Sequence, residues 1–112
     1  MTKITIKKYE VTAEGHAKAQ RINDNDLVCC AISTLLGTLG NALLDMYYDN
    51  LLCSPPKIKQ KSGYMHIKAE PKKEYEDMTI RVIRSFTIGL EVLAEQYPKN
   101  IILDNSEGRM RP

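Results

Sequence analysis

Tryptophan is absent from this 112-residue chain and phenylalanine occurs once. The six tyrosines that remain are too dispersed to form the stacking platforms on which single-stranded nucleic acids are held. An excess of one charge is also missing: 16 Lys and Arg against 14 Asp and Glu leave a net +2, short of the basic surplus of a nucleic-acid-tracking domain. Lysines do gather at Lys3, Lys7 and Lys8 and again at Lys57, Lys59, Lys61, Lys72 and Lys73, where solvated strand and loop positions account for them. Direct nucleic-acid binding is therefore not expected.

No uninterrupted apolar run approaches the ~18 residues of a membrane span. Residues 1–8 alternate polar and apolar and lack the apolar centre of a secretory signal, so no membrane is expected as a partner. Cysteine is scarce: three residues, an odd number without staple spacing, point to a reducing cytoplasm and at least one free thiol. His16, Cys29, Cys30, Cys53 and His66 match none of the structural-zinc spacings, so neither a metal nor a cofactor is expected. Pro and Gly, five and six in number, do not cluster as in disordered chains.

What is present, 43% hydrophobic and 27% charged residues, describes one globular domain with a single core. Its expected extent is 1–104, with 105–112 a polar tail. Ile4, Ile6 and Val11 mark one or two short strands by period-two alternation. Gly15 offers a position tolerant of positive φ. The interval 18–25 is polar and aperiodic, and reads as a loop.

Asp24, Asn25 and Asp26 are competent N-caps for a long apolar helix that ends between Tyr48 and Leu52. Leu27, Ala31, Leu35, Leu39 and Leu43 form its expected inner row, with Val28, Ile32 and Leu36 beside it. Gly37, Gly40 and Ala42 interrupt that row with small side chains suited to close packing. The apolar surface is broad enough for a buried helix or one shared with a second subunit. Pro55 and Pro56 end the helical region.

Residues 57–60 and 63–69 then read as a hairpin turning at Lys61-Ser62-Gly63, with His66 on the face opposite Met65 and Ile67. A second helix is expected over 73–97, burying Met78, Val82, Phe86, Leu90 and Leu93 and flanked by Ile80, Ile83 and Ile88. Pro98 stops it, and 100–103 forms a last strand. The fold class is α+β: a two-layer sandwich of a small, mainly antiparallel sheet packed against two long helices.

The chemistry concentrates between Gly15 and Leu44. Gly15-His16-Ala17 supplies an imidazole beside a turn, and Asp26-Leu27-Val28-Cys29-Cys30-Ala31-Ile32-Ser33 supplies thiols at a helix start. Unpaired backbone N–H groups and the helix dipole stabilise an anion there, and an adjacent imidazole completes a Cys–His nucleophile. A packed pair of thiols and a hydrogen-bonded turn histidine fit the same residues. Adjacent helical positions lie about 100° apart, so both thiols cannot face one group, but direction alone does not choose between Cys29 and Cys30.

The two segments resemble the Gly-His-Ala and Asp-(Ile/Leu)-Val-Cys-Ala-x-x-Ser signatures of the ribosomal-processing cysteine protease family, Prp. The Gly-x-x-His-Ile pattern beginning at Gly63 is also similar to that family. The resemblance implies a cysteine endopeptidase that removes an N-terminal extension from a large-subunit ribosomal protein. In phage relatives it implies the processing of a virion structural precursor instead. Such proteins are small α+β homodimers joined through helices.

Carried over by position, His16 is the catalytic histidine and Cys29 the catalytic cysteine. Asp26 and Ser33 occupy supporting positions, and Cys30 stands where a small residue, usually Ala, is expected. About 14 residues precede Gly15, a shorter lead-in than the family's, so one strand is expected to be missing or merged. The interval 18–25 lacks the family's Gly- and Tyr-containing pattern, and as a cover over bound peptide it is where specificity would change. A second reading from the same resemblance is a non-catalytic ribosome- or virion-associated interaction protein with a protease-like fold.

Overall fold

A computed structural model of the protein describes residues 1–17, 21–22 and 25–105. The chain runs β1 (Thr2–Ile6), β2 (Glu10–Glu14), β3 (Arg21–Ile22), β4 (Asn25–Asp26), α1 (Leu27–Tyr48), β5 (Lys57–Lys61), β6 (Tyr64–Lys68), α2 (Glu76–Gln96) and β7 (Ile101–Asp104). Five strands form one sheet in the order β5-β6-β2-β1-β7, antiparallel except where β7 joins β1 in parallel. The α+β expectation stands: one sheet, two long helices, both packed on the same face.

The lead-in before Gly15 holds two full strands rather than one. Ile4 pairs with Ala13 and Ile6 with Val11, and all four are buried. A turn at Lys7, Lys8 and Tyr9 joins the strands, closed by the Lys7 N–H donating to Glu10 O at 2.8 Å. The interval read as a loop contains a short ribbon, because Arg21–Ile22 pairs antiparallel with Asn25–Asp26. The rest of that interval, 18–20 and 23–24, lies outside the described residues, as does 106–112 of the expected tail.

Period-two alternation puts Met65 and Ile67 on the helix side and His66 on the open side, as expected. There His66 Nε2 bonds the Glu10 carboxylate across β6 and β2, and this bond holds the glutamate below its ordinary value of 4.5. Tyr9 donates its hydroxyl to Glu76 at 2.9 Å; burial and that bond push its phenol up to about 12.

By length and composition α1 qualifies for a membrane crossing, with a mean hydropathy of 1.9 over its most apolar window. Packing gives this apolar surface another partner. Val28, Ile32, Leu36, Leu39, Leu43 and Met46 are buried in the common core with the sheet and α2. Full burial of a leucine is worth about 1.5–3 kcal/mol, and Leu36, Leu39 and Leu43 are each 0% exposed.

Leu39 and Leu43 of the expected inner row are buried, but nearer the start of the helix Val28, Ile32 and Leu36 beside that row take the buried positions, and Leu27 is left 39% exposed. Of the small residues, Gly40 lies against Ile58 and Ile67, where a Cβ would sit 3.1 Å from the Ile58 side chain. A Cβ at Gly37 would meet nothing within 4 Å. Close packing therefore explains the first and not the second. The helix closes at Asp49, followed by Asn50 in the left-handed region at φ 64°.

α2 follows a 3-10 turn at Lys73–Tyr75 and opens with Glu76 and Asp77, whose charge suits a helix N-terminus. Leu90 of its expected face is buried and Val82, Phe86 and Leu93 pack partly buried against the core, but the rest of the inner face differs from expectation. Thr79, Ile83, Thr87 and Leu90 are buried, whereas Met78, Ile88 and Val92 are 49%, 43% and 46% exposed. The threonines tolerate burial because Thr79 Oγ1 donates to Tyr75 O at 2.8 Å and Thr87 Oγ1 to Arg84 O at 3.2 Å. Gly89 lets α1 approach, since a Cβ there would lie 3.0 Å from the Leu35 side chain.

Candidate active site

Three segments far apart in sequence meet at one end of the sheet. The loop that leaves β2 turns at Gly15, whose φ of 93° admits no ordinary side chain and whose Cβ would fall 2.4 Å from Met1 O. Its N–H donates to Gly63 O at 2.7 Å and its carbonyl accepts from Thr2 Oγ1 at 3.2 Å. Those two bonds tie the loop to the β5–β6 turn and to β1.

Gly63 also has positive φ, 70°, as a tight hairpin turn requires. A Cβ there would lie 2.9 Å from His16 Nε2, so the bare glycine backbone is what gives the imidazole its resting surface. His16 is exposed and projects into a cleft of about 410 Å³. Cys29 lines the same cleft from the first turn of α1 and is half-buried.

Ala13, Ile32 and Met65 give the cleft an apolar floor, and Lys61, Ser62 and Tyr64 contribute from the hairpin. The Lys61 ammonium stands 5.4 Å from the centre of the Tyr64 ring, a cation–π contact. Ser33, one helical turn beyond Cys29, is exposed on the lining. Cys30 is exposed and does not line the cleft, consistent with the 100° between neighbouring helical positions.

Asp26 is the N-cap of α1, its Oδ1 accepting from the N–H groups of Val28 and Cys29, both at 3.0 Å. The expectation that free N–H groups at the helix start would serve an anion needs correction here. Those two donors are held by the Asp26 carboxylate. The donor aimed at the thiol comes from the loop: Ala17 N–H donates to Cys29 Sγ at 3.3 Å. Ala17 is 1% exposed, and its carbonyl accepts from Asn100 Nδ2 at 2.9 Å.

Sequence reasoning missed Asn100, Thr2 and the hairpin as parts of this site. The Lys61-Ser62-Gly63 turn was visible as a turn, but nothing local says which way it leans. Of the other candidate ligands, His66 lies on the open sheet face with Glu10, and Cys53 Sγ donates to Pro71 O at 3.5 Å. No cluster of three or more metal-ligating side chains occurs among the described residues.

A family model described as Cysteine protease Prp matches residues 1–102. No curated protein sequence matches the chain. Among solved structures, the chain is similar to an essential ribosomal processing protease Prp from S. aureus in complex with a covalently linked product peptide. The TM-score is 0.67 at 24% identity, over 92% of this chain and 95% of that one. The same S. aureus protease in complex with a substrate peptide gives 0.63 at 23% identity over the same shares, 92% and 95%. A protein from Streptococcus mutans gives 0.63 at 24% identity, covering 92% of this chain and 90% of that one. These structural likenesses establish a shared fold.

Proposed function

The chain belongs to the family of the cysteine protease Prp, and from that premise we propose that Cys29 and His16 cleave a specific N-terminal extension from a precursor protein. The observation that carries this reading is the placement of both side chains on one cleft beside a pinned Gly15 turn. Cys29 thiolate attacks the scissile carbonyl carbon. Collapse of the adduct breaks the C–N bond, and His16 imidazolium gives its proton to the leaving amine. Water, losing a proton to His16, then attacks the thioester; the C–S bond breaks and a carboxylate product leaves.

Asp26 supports the site by capping α1, and Ser33 by lining the cleft one turn beyond the nucleophile. A large-subunit ribosomal protein precursor is the first substrate to offer. The S. aureus relative is named a ribosomal processing protease and holds peptide in its crystals, which supports that choice. A phage structural precursor is the second. The reading includes one domain over 1–104 and a cytoplasmic setting, which three free thiols suit. It also includes a homodimer, favoured by the exposed apolar side chains Met78, Ile88 and Val92 on one side of α2.

The test is cleavage of the ribosomal precursor, or of coat precursors from neighbouring phage genes, followed by mass spectrometry. Cys29→Ala and His16→Ala abolish cleavage, while Cys30→Ala keeps it. Loss that tracks Cys30 instead refutes the assignment. Slow iodoacetamide alkylation of Cys29 near pH 6, together with intact precursors, would favour the non-catalytic interaction protein. Light scattering tests the dimer.

A further inference from the structure

We infer that Asn100 is a positioning residue for the nucleophile: through Ala17 it aims a backbone N–H at Cys29 Sγ and thereby stabilises the thiolate. The inference rests on Cys29 being the nucleophile. Its geometry is a relay of two hydrogen bonds, from Asn100 Nδ2 to Ala17 O at 2.9 Å and from Ala17 N to Cys29 Sγ at 3.3 Å.

Three features make the relay more than a satisfied carbonyl. The first is that two donors at the helix start are already occupied. Val28 and Cys29 N–H are both held by the Asp26 carboxylate, so the helix start does not present them to sulfur. A neutral thiol is a weak acceptor, and an N–H bond to it strengthens when sulfur becomes anionic. The Ala17 bond therefore favours the thiolate over the thiol.

The second is burial. Ala17 is 1% exposed, so its peptide groups exchange little with solvent, and water is a poor substitute for either bond. The third is the rigidity of the support. The Asn100 backbone N–H donates to Tyr97 O at 2.9 Å, and its carbonyl accepts from Thr2 N at 2.9 Å. Asn100 is thus locked where α2 turns into β7 and where β7 meets β1. Among the described residues Ala17 pairs with no strand, and the asparagine side chain supplies a partner from elsewhere in the fold.

The experiment measures alkylation of Cys29 by iodoacetamide across pH, read by peptide mapping so that Cys30 and Cys53 do not interfere. In Asn100→Ala the Cys29 rate at pH 7 falls about tenfold and the pH midpoint rises by roughly one unit, the size of one hydrogen bond to a charged group. The limiting rate at high pH stays within about twofold of the parent, because the same thiolate then reacts. A folded Asn100→Ala protein with an unshifted profile overturns the inference while leaving the Cys29 assignment intact. A parent protein whose Cys29 is no more reactive than Cys30 overturns that assignment and this inference with it.

A second measurement on the parent protein covers an Asn100→Ala variant that does not fold. The Ala17 amide proton resonance moves downfield over the pH range in which Cys29 becomes reactive, and this movement is absent in Cys29→Ala. An Ala17 amide that ignores Cys29 ionisation overturns the relay.

Discussion

Replacing Gly63 by alanine tests the His16 placement with a single methyl group. Two costs can be separated. The backbone at 63 has φ 70°, and an alanine in the left-handed region costs about 1–2 kcal/mol, which lowers Tm on the order of 5–10 °C in a domain of this size. The methyl carbon would also stand 2.9 Å from His16 Nε2 where ordinary contact begins at 3.4 Å, so the ring must retreat by about 0.5 Å. Gly63 itself has little freedom to yield, because its carbonyl accepts the Gly15 N–H at 2.7 Å and Tyr64 starts a strand paired with Glu14.

A misplacement of 1 Å in a reacting group costs about a hundredfold, so half that implies a fall in kcat on the order of tenfold. The assay is initial-rate cleavage of a fluorogenic precursor peptide, with melting followed in parallel. Gly37→Ala is the control, since its added methyl meets open space; it keeps full activity and gains up to about 1 kcal/mol of helix stability. A Gly63→Ala protein that melts lower but retains its parent kcat would refute the proposed position of the imidazole.

Four further outcomes follow from the same geometry. Asp26→Ala lowers unfolding free energy by about 1 kcal/mol in urea melts, whereas Asp26→Asn, a comparable cap, stays near the parent. Leu36→Ala, at a 0% exposed position between sheet and helices, costs about 2–5 kcal/mol in the same measurement. Because the bond from His66 lowers Glu10, the stabilising contribution of that carboxylate is full above its unfolded value and is lost as pH falls through the depressed folded one. The Tm advantage of the parent over Glu10→Gln therefore shrinks as pH falls below the ordinary carboxylate value of 4.5, and an advantage that grows on acidification contradicts it. Ultraviolet titration shows a phenol ionising near 12 that Tyr9→Phe removes.

Much of the fold was legible in the chain because the signals that carry it are local. Ile4 and Ile6, Met65 and Ile67 alternate with polar neighbours and form strands with one buried face. Asp26 before an apolar run caps a helix, Pro98 follows the end of another, and Gly15 and Gly63 take the positive φ that their turns demand. Which helical row faces inward was less legible. The apolar surface of α1 and α2 is wider than the sheet can cover, so Leu27, Met78 and Ile88 competed on equal terms with residues that are buried.

By itself the sequence determined the elements, their order, the α+β class and the pair of segments whose resemblance names a cysteine protease family, since turn chemistry, capping and periodicity act over a few residues. Only the tertiary structure decided that His16 and Cys29 line one cleft that Cys30 does not. Only it showed Asp26 holding the helix-start donors and Asn100, 83 residues from Ala17, anchoring the loop whose N–H meets the sulfur. That last contact depends on β7 lying parallel to β1, a pairing set by how α2 crosses the sheet and written in no short stretch of chain.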